Sequence, residues 1–376
     1  MQRVKILHCA DLHLGAPCTL PDRKAEKRKT ERLISFEKIV SLAREKSVDL
    51  LLIVGDLFDS NDVSDNLCTA VFKAIAEIPE IKVVYNAGNH DPLNATSPLK
   101  RFSLPENLTV LPSDDTVVTF DDIGVNVFGR SFSENTLLGQ DEYGAAIPQN
   151  EYLNIMLNHG TFRGDSGCPH NSISAEFIRN SGMDYMALGH IHKRTLPEKL
   201  GKTYFAYCGC HESQGFDELG EKGCYYIELG DTFNYEFLTV CRRICNIIEF
   251  DIEGMLDNAD IKNKLLQFLK NKYGEEYYEN IYRIILKGSI KEDFLLDTAD
   301  LTTRLSEELF YVEIKDLTEL LIDYELLAKE NGLKGIFIRK MLEKINTASD
   351  LEKPLLESAL KIGVTAFSGE VKYNED

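Results

Sequence analysis

The residues of this chain best suited to chemistry fall in five short segments. They are Asp11-Leu12-His13, Gly55-Asp56 with Asp59, Gly88-Asn89-His90-Asp91, His159-Gly160 and Gly189-His190-Ile191-His192. Five of the eight histidines lie inside them, with the aspartates Asp11, Asp56 and Asp59 and the asparagine Asn89 well placed beside them. Imidazole nitrogens mixed with carboxylate and amide oxygens suit manganese, iron or zinc. Asp11 and His13 are two residues apart, as are His190 and His192, so at a strand end each pair shares a face and can reach one ion. Asp56 has two carboxylate oxygens and can bridge two cations. This division gives Asp11, His13, Asp56 and His192 to one ion, and Asp56, Asn89, His159 and His190 to the other. Gly55 and Gly189 remove side chains where the backbone must turn beside the ions.

Two divalent ions about 3.5–4 Å apart activate water, clamp phosphoryl oxygens and stabilise a leaving oxygen, which is phosphate-ester chemistry. Two carboxylates against two such ions leave roughly +2, a charge that a phosphodiester and a bridging hydroxide neutralise. The expected reaction is attack of that hydroxide on the phosphate. His90 follows Asn89 and belongs at the cluster edge, where it assists the leaving group as a general acid or binds a phosphoryl oxygen as a cation. Asp59, three residues beyond Asp56, is placed to orient and charge His90. His8, His170 and His211 read as ordinary packed histidines.

Most of these segments follow apolar, β-branched runs such as Leu50–Val54 and 83–85, so several strand ends must converge to build one site. Residues 1–244 read as a single α/β unit with further strand-like runs at 4–9, 116–120, 125–128, 154–157, 185–188, 203–207, 224–229 and 235–240. A helical stretch at 32–46 has Leu33, Phe36, Ile39, Val40 and Ala43 at helical spacing. Early strands alternate with helices and later ones follow through tight turns, which predicts two facing sheets with helices outside. Residues 131–149 read as a long loop. From residue 245 the pattern resets: 245–315 reads as a small α+β capping unit, and 316–376 as a helical segment of three amphipathic stretches, at 317–331, 336–345 and 351–362, open to partner docking.

A net charge of −19 argues against a surface that grips nucleic acid by counterion release, so DNA binding by this chain alone is expected to be weak. The local exception is Arg23-Lys24-Ala25-Glu26-Lys27-Arg28-Lys29, which is either the solvated start of a helix or a basic lip guiding a phosphate backbone. Nine scattered cysteines suit a reducing compartment, and no apolar run reaches membrane-spanning length. No secretory signal peptide fits the start, and a cytoplasmic location follows as the expectation.

The ordered set DxH, GDxxD, GNHD, HG and GHxH resembles the calcineurin-like metallophosphoesterase superfamily. The longer strings 8–15, 55–59, 88–91 and 187–192 are similar to its DNA repair exonuclease branch, the SbcD nuclease subunits and their shorter YhaO-like relatives. Gly215-Phe-Asp-Glu-Leu-Gly-Glu-Lys-Gly223 also resembles the loop and strand that close such domains. The resemblance implies a four-layered α/β/β/α sandwich, a manganese pair, a homodimer and an SMC-like ABC-type ATPase partner that supplies much of the DNA grip. It implies a DNA exo- or endonuclease subunit of a repair complex. Cys208-Gly-Cys210 departs from the Pro-Gly of relatives, and residues 211–220 carry no Lys or Arg. A phosphodiesterase for small nucleotides and a non-catalytic assembly subunit are the competing readings; the second would normally have lost ligands.

Overall fold

The computed structural model describes residues 3–18, 20–136, 143–144, 151–164, 168, 170–291 and 294–367. Two six-stranded sheets dominate it. The first has the order Phe233–Thr239, Gly223–Leu229, Val4–Ala10, Leu50–Val54, Lys82–Asn86, Leu108–Val110. Its last four strands are parallel, while Gly223–Leu229 runs antiparallel to both neighbours. The second sheet has the order Glu198–Leu200, Thr203–Tyr207, Tyr185–Gly189, Leu153–His159, Val125–Gly129, Thr116–Phe120, parallel at its centre and antiparallel at its edges. Parallel strands covered on both faces need unbroken apolar sequence. Leu50–Val54 meets that demand with all five residues buried.

Alternate residues of one strand serve two cores, as the strand period of two requires. On one face of the first sheet, Leu7, Leu51, Ile53 and Val83 pack with Phe36, Ile39 and Val40 of helix Asp22–Glu45 and with Val71 and Ile75 of helix Asp65–Ala76. On the other, Ile6, Leu50, Leu52, Val54 and Val84 pack against Val127, Ile155, Leu157 and Ala187 of the second sheet. Phe128, Met156, Met186 and Leu188 face away from that core and pack with Ile178 of helix Ala175–Asn180.

The described chain divides into two units, one of Met1–Ile247, Glu275–Arg283 and Leu309–Val312, the other of Ile248–Gly274, Ile284–Glu308 and Glu313–Asp376. Both sheets above lie in the first. The second unit contains helices Asn258–Tyr273 and Thr298–Ser306, and the pair Leu333–Thr347 and Lys353–Phe367, packed through Ile338, Ile345, Leu360 and Val364. The amphipathic stretch expected at 317–331 is instead a two-residue strand, Glu319–Leu320, and a four-residue helix, Tyr324–Leu327. Glu319–Leu320 is drawn into pairing with Ser289–Ile290, and the Asp323 side chain accepts from the Leu326 amide and starts a new helix there. Much of the loop expected at 131–149 lies outside the described residues. Among the described residues no helix is long and apolar enough to cross a membrane.

The basic run 23–29 is the start of helix Asp22–Glu45, with Arg23, Glu26, Lys27 and Lys29 exposed, and Arg28 is its exception. Arg28 is buried, and it donates to Glu31 at 3.0 Å, to Glu212 at 2.8 Å and to the Ser213 carbonyl at 3.1 Å. Arg243, also buried, donates to Glu31 at 2.6 Å and to Glu279 at 2.6 Å. Lys24 and Lys27 lie over the Phe310 ring, their ammonium nitrogens 5.8 and 5.2 Å from its centroid. The network fixes the loop that begins at Glu212, whose other oxygen accepts from Ser35 at 2.6 Å. Removing one partner from such a network strands a buried charge, so Glu212→Ala should lower the unfolding free energy by about 3–5 kcal/mol. Urea denaturation monitored by circular dichroism checks this, and a loss below about 1 kcal/mol, the range of a surface ion pair, would contradict it.

Candidate metal centre

The five segments meet at the carboxyl ends of parallel strands, where open α/β sheets bind ligands. Asp11 follows strand Val4–Ala10, Asp56 follows Leu50–Val54, Asn89 follows Lys82–Asn86, His159 ends Leu153–His159, and His190 follows Tyr185–Gly189. The turns are strained. Asp11 (φ 52°), His13 (φ 43°), Asp56 (φ 47°) and His190 (φ 94°) all adopt left-handed backbone without being glycine. Such conformations persist where surrounding structure enforces them, and they gather at functional sites. Gly55 and Gly189 are fixed by close approach: an added Cβ would lie 1.9 Å from His159 Nδ1 and 2.0 Å from the Val54 carbonyl, respectively.

Asp11 and Asp56 each spend one oxygen on a backbone amide. Asp56 Oδ1 accepts from the His90 amide at 2.9 Å, while Oδ2 lies 3.6 Å from His13 Nε2 and 3.3 Å from His159 Nε2. Asp11 Oδ1 accepts from the His190 amide at 2.8 Å, and Oδ2 is buried with no hydrogen-bond partner. An orphaned carboxylate oxygen in the interior is costly unless a cation takes it.

The imidazoles make the same case. Asp59 Oδ1 stands 3.1 Å from His13 Nδ1, and Glu218 Oε1 stands 2.5 Å from His192 Nδ1. An ionised carboxylate only accepts, so both Nδ1 atoms carry the proton and both Nε2 atoms present lone pairs. Those two Nε2 atoms face each other across 3.0 Å. His159 likewise turns Nδ1 to the Val54 carbonyl at 3.2 Å and Nε2 to the Asn89 amide oxygen at 3.0 Å, with His190 Nδ1 3.1 Å from that same oxygen. Donor atoms of Asp11, His13 and His192, and of Asp56, His159 and His190, fall into two groups, the atoms of each lying within 4.8 Å of one another. Acceptor facing acceptor at two adjacent points is an arrangement that metal cations satisfy, and carboxylate-backed histidines are how metal sites fix ligand orientation.

The electrostatics are those of a buried, densely coupled cluster. Burial disfavours the Asp56 carboxylate, but the imidazoles of His159, His13 and His90 outweigh it and hold the group well below the usual carboxylate range. Burial raises Asp11 against the pull of His159 and His192. Burial opposes charge on His159, yet Asp56 and Asp11 lift it to about 9; burial with His159 and His170 pushes His190 down to about 3.

His90 lies at the rim, its side chain 45% exposed, with its ring edge-on to His13 at 4.6 Å between centroids. Its Nδ1 lies 3.1 Å from the Asp59 backbone carbonyl and 3.9 Å from the Asp59 carboxylate. Asp59 therefore fixes His90 through its main chain and spends its carboxylate on His13, a different division of labour from the one the spacing suggested. His8 and His211 are buried and bonded to Tyr185 and to the Arg32 carbonyl. His170 is not merely packed, since its ring lies 4.9 Å from that of His190.

Two residues without an assigned role in the sequence belong here. Glu218 lies in the string 215–223, among loop residues with no ligand motif of their own. Asp91 ends the GNHD motif: it accepts from the amides of Phe58 at 2.9 Å and Gly88 at 3.0 Å and from the Tyr85 hydroxyl at 2.5 Å, tying two ligand-bearing loops together.

The calcineurin-like phosphoesterase family model matches residues 4–194, just over half of the chain. The uncharacterized metallophosphoesterase YhaO of Bacillus subtilis (strain 168) is 29% identical over 245 residues, 61% of this chain and 59% of that protein. DNA double-strand break repair protein Mre11 of Methanopyrus kandleri is 26% identical over 318 residues, 78% of this chain and 65% of that protein. Mre11 of Saccharolobus solfataricus is 23% identical over 384 residues, 95% of this chain and 94% of that protein. The match thus spans less than two thirds of the length of the first two relatives. The chain belongs to the calcineurin-like phosphoesterase family, whose members hydrolyse phosphoesters with divalent metal ions.

Proposed function

We propose that the chain is a two-metal phosphodiester hydrolase acting on DNA, the nuclease subunit of a DNA repair complex. One observation carries the chemistry: the unpartnered Asp11 Oδ2 and the inward Nε2 atoms of His13, His192 and His159 gather around Asp56 in two adjacent groups. Asp11, His13, Asp56 and His192 would hold one ion, and Asp56, Asn89, His159 and His190 the other, with manganese the best fit. Such a pair supplies Lewis acidity, activated water and a clamp on phosphoryl oxygens. His90, anchored at Nδ1, offers Nε2 to the leaving oxygen or to a phosphoryl oxygen. Asp59 and Glu218 hold two ligand rings in the metal-binding tautomer.

The choice of DNA rests on the double-strand break repair role that the names of the Mre11 relatives carry, together with the motif resemblance. The net charge of −19 and the burial of Arg28 in a salt-bridge network support a division of labour. Cleavage sits in this chain, and most of the grip on DNA sits in an SMC-like ATPase partner. In this reading, residues 1–244 form the four-layered α/β/β/α nuclease domain, 245–315 cap it, 316–376 dock the partner, and the complex works in the cytoplasm. The test is incubation of the chain, with its ATPase partner, with linear single- and double-stranded DNA and manganese. Release of nucleotides is expected; no cleavage would contradict the reading, and turnover of cyclic or oligonucleotide substrates far above that of DNA would favour a small-nucleotide phosphodiesterase.

The ring-orienting carboxylates give a further prediction. Partners of this kind are worth 10–100-fold in metal affinity or activity, so Glu218→Ala should weaken manganese binding by about that factor while Glu218→Gln, which keeps an acceptor, recovers part of it. Calorimetric titration with manganese reads this directly, and equal affinities in all three proteins would show that Glu218 does not position His192.

A further inference from the structure

Beside His192 opens a cavity of about 510 Å³, lined by His192, Lys193, Asp217, Glu218, Leu219 and Lys222. Its volume falls within the range of small-molecule sites, about 300–1,000 Å³. Lys222 distinguishes it. Four cationic side chains are buried among the described residues: Arg28, Arg32, Arg243 and Lys222. The three arginines all donate to oxygen: Arg28 to Glu212, Arg32 to the Ala16 carbonyl at 2.6 Å, and Arg243 to Glu31. Lys222 is 6% exposed, and its only hydrogen bonds run through its main chain, where its amide donates to Cys241 Sγ and its carbonyl accepts from the amides of Val240 and Cys241. Its ammonium has no acceptor among the described residues. The ammonium is reached from the cavity, so an anion there can pair with it.

The neighbouring acids do not fill that role. Glu218 is committed to His192, to the Gln214 amide at 2.7 Å and to Cys210. Asp217 is exposed and forms no ion pair with either lysine. Lys193 adds a second ammonium at the cavity wall, directly after the ligand His192. The loop 211–220 has no cation of its own, and among the residues that line the cavity these two lysines are the cations.

We propose that this cavity is a phosphate subsite next to the metal centre, in which Lys222 and Lys193 hold the phosphate of a nucleotide unit adjoining the one cleaved. It rests on the phosphodiesterase reading above and extends it to substrate placement. Lys222 makes the charge pair, Lys193 screens it from the outer side, and Asp217 accepts from a sugar hydroxyl or a base amino group. The same chemistry serves a flanking phosphate of a polymer and the phosphate of a released mononucleotide.

The test titrates the manganese-loaded full chain with deoxyadenosine monophosphate, with deoxyadenosine, and with a cleavage-resistant phosphorothioate oligonucleotide. Binding of the nucleotide but not of the nucleoside is expected, weakened at least tenfold in Lys222→Met and to a lesser degree in Lys193→Gln. Sensitivity of the oligonucleotide alone to these changes assigns the subsite to the polymer; sensitivity of both assigns it to product as well. Unchanged affinity for both phosphate ligands in both variants overturns the proposal. Lys193 is exposed, so Lys193→Gln remains informative should Lys222→Met fold poorly. Hydrolysis of bis(4-nitrophenyl) phosphate by the wild type is measured in parallel. If that hydrolysis persists while neither lysine matters, the subsite fails and the phosphodiesterase reading stands. If it is absent while the lysines still govern nucleotide binding, the subsite stands and the hydrolase reading fails.

Discussion

Asp56→Asn is expected to reduce manganese-dependent hydrolysis of bis(4-nitrophenyl) phosphate by about 10³-fold or more. Asp56 faces imidazoles of both groups through a single oxygen, with Oδ2 near His13 Nε2 and His159 Nε2. An asparagine keeps the oxygen that accepts from the His90 amide, so the loop Gly88–Asp91 stays anchored. What changes is the other atom: an NH₂ group replaces a lone-pair-bearing oxygen and its charge, and its hydrogens point at the place where a cation is needed. Lewis-acid stabilisation of a phosphoryl group is worth several kcal/mol, and about 4 kcal/mol corresponds to about 10³ in rate. Calorimetry should show the loss of at least one manganese equivalent, with little change in thermal stability after chelation. Retention of rate within tenfold would remove Asp56 from the centre.

His90→Ala should lower kcat by about 10²–10⁴ while leaving manganese affinity within a few-fold of wild type, because its ring contributes proton or charge transfer rather than a ligand. The geometry supports that split. Its amide serves Asp56, which alanine preserves, whereas its exposed ring is held at Nδ1 by a carbonyl. A substrate whose leaving group is already acidic, such as a nitrophenolate, needs less proton donation. The defect should therefore be smaller on bis(4-nitrophenyl) phosphate than on DNA. Equal defects on both substrates would point instead to charge stabilisation of the phosphoryl oxygen. A parallel loss of metal affinity would make His90 a ligand.

Ligand positions were readable in the sequence because each sits at the end of an apolar run, and burial on both faces of parallel strands forces that run to be continuous. Leu50–Val54 before Gly55-Asp56 and Tyr185–Leu188 before Gly189-His190 both follow this pattern. The backing groups were not readable. Glu218 reaches His192 across 26 residues, and Asp59 reaches His13 across 46, through contacts that exist only once loops are folded. His170 against His190 and Lys222 beside the cavity are of the same kind. Within the basic run 23–29, charge composition cannot tell a solvated arginine from Arg28, whose partners lie 3 and 184 residues away. The stretch at 317–331 has apolar residues at helical spacing, but its local Asp capping and its pairing with Ser289–Ile290 override that periodicity.

The most direct measurement is turnover of bis(4-nitrophenyl) phosphate by the EDTA-treated full chain as manganese is added, with bound metal counted in the same samples. Turnover absent before addition, rising to a plateau at two bound equivalents and abolished again by EDTA, is the predicted result. Full turnover without added metal, or none with two equivalents bound, would contradict a two-metal phosphodiester hydrolase built on Asp11, His13, Asp56, Asn89, His159, His190 and His192.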